Sequence, residues 1–537
     1  MHLISYFLSY ITTRVIFTTE NVVIKLLQTD KLNIHIERIY TDNCNDKKGK
    51  NMNQKGTLHR PFGIRDKIGY LFGDFGNDFT FILSSGFLLK FYTDVMGISA
   101  AIVGTVIMLA RFVDGFTDVT MGRICDRGRV TKNGKFKPWL LRMSAPVALA
   151  SFLIYQSAFA GYDTWFKIMW LVITYILWGS VFYTSINIPY GSMASAISRE
   201  PDDRQSLSTF RTLGSTLAGV IVGAGIPLFA YVEDGGNTVM IGERFTLIAG
   251  IFSILAIICY LICYALVTER VTPPVIQGEK YSIAKMLKNA LKNRALVSII
   301  IASVVMLLAQ LTLQSMSNYI FPNYYNNAAA QSASTIAMLV GMLIAAIIAR
   351  PLAKRIGKAE LSVTSNLVAA GISLLLFIIR PKSVWVYVGL NFFAWLGLGV
   401  FSMVSWALIT DVIDYSEIKN GVREDGSIYA MYSFARKLGQ AASAGLTGLL
   451  LSLIGYSQAT AFDNTVLNGI FNISTLLPFI GFTLLALILW FWYPLHKTQV
   501  DSNVAELKKL HQKALDTDFP PDITFSESER NNEKDAP

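Results

Sequence analysis

The chain has 537 residues, 52% hydrophobic and only 16% charged, with a mean hydropathy of +0.43. Soluble domains carry about a quarter charged residues, so the composition excludes a soluble globular enzyme and describes an all-α, polytopic membrane protein. A net charge of +10 would suggest a nucleic-acid partner in a soluble protein; here the distribution of Lys and Arg among the loops accounts for it.

Residues 1–60 fit no span. The run LISYFLSYITTRVIF is apolar but short and is interrupted by Arg14. It lacks a basic leader and a small-residue cleavage site, which makes it a poor signal peptide and a poor span. A stretch rich in Asn, Asp and Lys follows, then Met52. We read Met52 as the start and 1–51 as a spurious extension; a disordered tail is the alternative. Twelve apolar runs of bilayer-spanning length come next, at approximately 68–93, 98–122, 139–161, 164–194, 208–232, 245–267, 295–322, 332–350, 360–379, 383–413, 427–454 and 466–492.

Lys and Arg mark the cytoplasmic side. They collect after span 2 (Arg123 to Lys137), span 6 (Arg270 to Arg294), span 8 (Lys354, Arg355, Lys358) and span 10 (Lys419, Arg423). Loops after spans 1, 7 and 11 carry none, and Arg380 and Lys382 after span 9 are the exception. The alternation predicts cytoplasmic termini and explains the basic balance. The expected domains are a six-helix bundle over 63–267, a central cytoplasmic loop over 268–294, a second bundle over 295–495 and a disordered tail over 496–537. The four cysteines (Cys44, Cys125, Cys259, Cys263) show no metal spacing and read as structural.

Charged and polar residues inside the spans point to chemistry. Span 1 places Asp74 and Asp78 on one helical face with Asn77 beside them. Asp78 lies a turn deeper than Asp74, and a carboxylate there can accept two hydroxyl hydrogen bonds from a sugar; the structural alternative is a helix-start acid. In span 2, Asp114 and Asp118 are four residues apart on one face. An acid at bilayer depth costs at least a few kcal/mol and marks a functional site by default, so the pair reads as a cation site, with neutralisation by Arg111 or Arg123 as the plainer alternative. Span 4, WGSVFYTSINIPYGSM, offers Tyr183, Thr184, Asn187 and Tyr190 around a Pro189–Gly191 break. Broken helices are tolerated where they line a cavity, although hydroxyls and amides also serve as interhelical glue. Arg211 near the start of span 5 is an intramembrane cation. At the end of span 10, Asp411, Asp414 and Glu417 follow helical spacing and could pair with Arg204 as a gate; solvated helix-end charge is the alternative. Span 11 contains Tyr432, Arg436 and Lys437. Lys437 can snorkel or face Asp114 and Asp118 across a cavity.

Six plus six spans, with the basic turn GRICDRGR after span 2 echoed by ARPLAKRIGK after span 8, follow the pattern of the major facilitator fold: twelve transmembrane helices in two bundles with a midplane site between them. The segments FYTDVMGIS, ARFVDGFTDVTMGRICDR, GKFKPW, INIPYGSM, FRTLG and TDVIDYSEIKNGVREDGSIYAMYSFARKLG resemble the glycoside–pentoside–hexuronide:cation symporters over roughly residues 63–495. The resemblance implies a cation set of Asp114, Asp118, Thr117 and Thr184. It also implies a sugar set that includes Asp78, Arg211 and Lys437, to which Asn77, Asn187, Tyr183, Tyr190 and Tyr432 are added as candidates. Asn187 stands where the melibiose branch has a sugar-binding acid, Gly191 where it has a tryptophan, and Thr117 where it has an asparagine. These departures favour the glucuronide and pentoside branch and leave Na⁺, Li⁺ and H⁺ open as the coupling ion. The expected protein is a monomeric symporter of the cell membrane with no organic cofactor, no nucleic-acid partner and no enzyme activity. The competing reading is a carrier of the same fold for a lysolipid or other amphiphile.

Overall fold

A computed structural model describes residues 60–128, 130–131, 133–271, 293–420 and 425–518. The expectations for residues 1–59, most of the central loop and 519–537 lie outside the described residues. Each predicted apolar run falls on one helix. The first bundle comprises α1 (Ile64–Asp94), α2 (Ala100–Arg127), α3 (Lys137–Ile154), α4 (Thr164–Ile197), α5 (Pro201–Ala230) and α6 (Gly242–Leu266). The second comprises α7 (Arg294–Tyr324), α8 (Ala328–Ile356), α9 (Lys358–Ile379), α10 (Val384–Asn420), α11 (Asp425–Leu453) and α12 (Asn464–Trp492). Among the described residues, ten helices are long and apolar enough to cross a membrane. The charged α1 and α11 are not among the ten.

The internal repeat hinted at by the basic turns is a repeat of neighbours. In the first bundle α1 packs on α5 and α6, α3 on α6 and α4, and α2 on α4. The second repeats this six helices later: α7 on α11 and α12, α9 on α12 and α10, and α8 on α10. The bundles meet through α2–α11, α5–α8 and α1–α7. Small residues allow the first of these contacts. A Cβ on Gly448 would strike the Ala100 carbonyl, and a Cβ on Gly104 would come within 3.0 Å of the Gly448 Cα, so the two backbones approach closely, as small residues permit in membrane helix pairs.

Several sequence features find their reason here. GKFKPW forms the entry to α3, where the Glu269 carboxylate accepts from the backbone N–H of Lys135 (2.7 Å), Phe136 (2.9 Å) and Lys137 (2.6 Å). An anion at a helix N-terminus satisfies its orphan donors. Gly134 (φ +106°) lies against that carboxylate and leaves no room for a Cβ. Arg380, the exception in the loop charges, donates to Asn468 (3.1 Å) and Asn472 (2.6 Å) of α12. Cys125, Cys259 and Cys263 are buried free thiols. Two elements were not foreseen. A hairpin of β1 (Tyr231–Asp234) and β2 (Asn237–Met240) follows α5, and Asn326 pins it by accepting from Thr238 N and donating to Gly236 O. The tail expected to be unpacked from 496 instead forms α13 (Lys497–Asp518), seated on α9 and α10 with Asn503 and Leu507 buried. Glu360 accepts from Lys497 N at its start (2.8 Å).

A buried cation joins the ends of α1 and α7. Lys90, 1% exposed, pairs with Asp94 (2.7 Å) and donates to Asn323 (2.6 Å) and the Tyr456 hydroxyl (2.7 Å). Its ammonium also lies 4.5 Å from the Tyr319 ring centre. The Lys90→Ala variant leaves Asp94 without its cation, and removing one partner of a buried pair costs about 3–5 kcal/mol. Thermal unfolding in detergent should show a lower midpoint for Lys90→Ala than for the Lys90→Ala/Asp94→Ala double variant, which leaves no stranded charge.

Candidate functional site

Helices α2 and α4 run side by side in the same direction, and their polar residues match turn for turn. Ser180 Oγ donates to Asp114 Oδ1 at 2.5 Å, and Thr184 Oγ1 lies 3.0 Å from Asp118 Oδ1. Both contacts span 66 residues, so the register is a parallel ladder. The stretch Leu177–Tyr183 of α4 is π-helical, an irregularity frequent at functional sites. Across the bundle interface, Lys437 Nζ of α11 lies 2.5 Å from Asp118 Oδ2, with its side chain 50% exposed. Arg111 Nη1 lies 3.7 Å from Asp114 Oδ2, and its guanidinium covers the Phe81 ring at 4.9 Å. Two carboxylates therefore face two cations, and the cluster is formally neutral.

The hydroxyl of Thr117, placed in the cation set by the resemblance, is turned back onto its own helix, 3.1 Å from the Asp114 carbonyl. Ser180 occupies the position beside Asp114 instead. Sequence reasoning missed it because its meeting with Asp114 depends on the pitch of the π-helical stretch. Among the described residues no three His, Cys, Asp or Glu side chains converge as a metal cage. Asp114 and Asp118 with the Ser180 and Thr184 hydroxyls present an oxygen set suited to one small monovalent cation, or to a proton.

The sugar candidates divide. Asp78 is half-buried, with Ser215 nearby. Tyr183 stacks on Phe81 at 5.6 Å. Arg211 engages Asp74 rather than Asp78, at 3.0 Å, and sits over the Tyr190 ring at 5.4 Å. Asn187 is half-buried and its carbonyl accepts from Asn77 at 3.5 Å. Three candidates belong to the packing instead. Asn77 is buried and also accepts from Tyr260 (2.9 Å), which ties α1 to α4 and α6. Tyr190 is buried, donates to the Tyr70 carbonyl (2.6 Å) and stacks on the Tyr70 ring at 4.6 Å. Tyr432 is buried, accepts from Ser303 (2.9 Å) and meets Trp406 edge-on. Each of these side chains points into its own bundle, where a neighbouring helix supplies its partner. Of the expected gate, Asp411 pairs with Lys358 of the same bundle at 2.5 Å, and Arg204 Nε donates to the Ser198 carbonyl. Asp414 and Glu417 both have partners.

A cavity of about 280 Å³ lies between the bundles, near the lower edge of the roughly 300–1,000 Å³ typical of small-molecule sites. Arg111 and Phe81 line its first-bundle side; Gln314, Asn318, Gln331 and Gln440 line the other. Among the described residues Arg111 is its sole charged lining group.

The profile of the family described as "MFS/sugar transport protein" matches residues 69–497. The chain belongs to this family. It is a multi-pass membrane transporter, not an enzyme, and the resemblance to glycoside–pentoside–hexuronide symporters stands. The chain is 31% identical to the glucuronide carrier protein homolog of Escherichia coli (strain K12), over 85% of this chain and 99% of that one. It is 32% identical to the isoprimeverose transporter of Lactiplantibacillus pentosus, over 83% of this chain and 91% of that one. Among solved structures it shares the fold of a D-xylose-proton symporter, with a TM-score of 0.57 at 15% identity over 80% of this chain and 97% of that one.

Within this family member the Ser180–Asp114 bond is separable from the fold. Ser180→Ala removes one donor, and a lost hydrogen bond to a charged group is worth about 1.5–3 kcal/mol. Any cation that binds at Asp114 should therefore show a half-saturating concentration shifted about tenfold or more, with the thermal midpoint of the cation-free protein little changed. Cation-titrated uptake and melting curves on the same preparation check both.

Proposed function

We propose that the protein imports a glycoside, pentoside or hexuronide together with Na⁺, Li⁺ or H⁺ across the cell membrane. It would work by alternating access of two six-span bundles with both termini in the cytoplasm. The observation that carries this reading is the double engagement of Asp118: one oxygen faces a hydroxyl of α4 in its own bundle, the other faces Lys437 of the opposite bundle. A group held this way senses the relative position of the halves.

The chemistry follows from charge. Lys437 serves as a tethered cation that neutralises Asp118 in a low-dielectric setting, where an unpaired charge is expensive. A mobile cation bound by Asp114, Asp118 and their hydroxyls competes with it and releases the lysine toward the cavity. There an ammonium binds hydroxyls or an acidic group of the solute. Cation and solute then favour each other's binding by the same factor, because coupling free energy is reciprocal. An acidic sugar is supported by Arg111 in a cavity that has no lining carboxylate among the described residues and by the neutral Asn187; among the relatives, one is named as a glucuronide carrier homolog. An amphiphile carrier of the same fold is disfavoured by the amides gathered on one side of the cavity.

The test is gradient-driven uptake in proteoliposomes, across a panel of glycosides, pentosides and glucuronides, under separate Na⁺ and H⁺ gradients. Asp118→Cys should abolish accumulation against a gradient while solute binding persists. Normal cation-stimulated accumulation by that variant would falsify the assignment.

A further inference from the structure

The second-bundle side of the cavity contains an incomplete hydrogen-bond network. Gln331 of α8 is 4% exposed and lines the cavity. Its Nε2 donates to Asn318 Oδ1 at 2.6 Å, and Asn318 Nδ2 in turn donates to the Gly86 carbonyl at 2.6 Å and the Ser315 carbonyl at 3.2 Å. These bonds fix which end of each amide is which. Gln331 Oε1 is then left buried with no donor. A buried acceptor without a partner is costly and rare in native proteins, so the position calls for an O–H or N–H donor from outside the chain. The nearby Thr335 hydroxyl cannot supply it, being engaged by the Gln331 and Gly223 carbonyls at 3.1 and 3.3 Å.

The surroundings define the donor's chemistry. Gln314, Gln440, Ser315 and Ser334 line the same side and are neutral, and the charged Arg111 lies on the opposite side. An ionic group against the amides would find no counter-charge. A ring bearing several hydroxyls fits, because hydroxyls donate to Gln331 Oε1 and accept from the amide N–H groups of Gln314 and Gln440.

We propose that the α7–α8–α11 side of the cavity is a subsite for an uncharged, hydroxyl-bearing unit, the second ring or hydroxylated aglycone of a glycoside, with Gln331 Oε1 as acceptor. This rests on the sugar-symport reading and narrows it: the preferred solute is larger than a monosaccharide and is neutral at the end that meets Gln331.

The test measures binding of matched pairs to the full-length protein in detergent: xylose against a xylosyl-glucose disaccharide, and glucuronic acid against its glycoside with a neutral hexose. The wild type should bind the extended member of at least one pair about tenfold or more tighter. Gln331→Leu should erase that preference while affinity for the short member stays the same. Gln440→Leu, which leaves the Asn318 bond intact, should reduce the preference too, and it decides the matter if Gln331→Leu does not fold. Equal wild-type affinity for short and extended members overturns the subsite and leaves the sugar reading standing, as does a variant that weakens both members alike or neither, since a resident water at Gln331 would give those results. Failure of the wild type to bind or move any sugar of the larger panel overturns the sugar reading itself, and the subsite with it.

Discussion

The site depends on the neutralisation of Asp114 and Asp118 at membrane depth. An unpaired carboxylate among apolar helices is costly, so the surrounding structure is arranged to supply partners. The π-helical stretch of α4 brings Ser180 to one acid while Thr184 meets the other, α11 contributes Lys437, and Arg111 stands within its own helix turn of Asp114. Three helices from two bundles are thereby held to one cluster of charge. Any movement of the bundles against each other must account for these charges at every stage.

The two lysine–carboxylate clusters show how burial separates architecture from function. Lys90 is enclosed, and its ammonium is shared among Asp94, Asn323, Tyr456 and the Tyr319 ring. Nothing is left for a ligand to satisfy, and the cluster ties α1 to α7. Lys437 has one strong partner and half of its side chain open. A lysine with spare donors and an open side can exchange its partner, whereas one saturated by the protein serves to hold helices together.

How far the sequence could be read follows from the range of each interaction. Helix positions were legible because a twenty-residue apolar run is a local property, and the facing of Asp114 and Asp118 was legible because four residues make about one turn. Lys437 was legible as a candidate because a cation in an apolar helix needs an explanation. Contacts that depend on the rotation of one helix against another were not. Ser180 looked like any small polar residue, Arg211 found Asp74 instead of the deeper Asp78, and Tyr190 and Tyr432 turned into their own bundles. The amides Gln314, Gln331 and Gln440 are isolated in sequence among apolar residues and look like interhelical glue until the fold brings them to one cavity. The hairpin after α5 and the docked helix α13 escaped notice because each is short or polar and is held by a partner remote in sequence, Asn326 in one case and Glu360 in the other.

In the proposed movement of the bundles, the close approach of α2 and α11 at Gly104 and Gly448 would act as a fulcrum. Asp118 lies fourteen residues along α2 from Gly104, a lever arm of about 21 Å at 1.5 Å per residue. On such an arm a tilt of about 10° between α2 and α11 carries the far end through about 4 Å, well beyond the reach of an ammonium–carboxylate contact. A modest swing about the glycines would therefore part Asp118 from Lys437, while the backbones at the pivot would scarcely move.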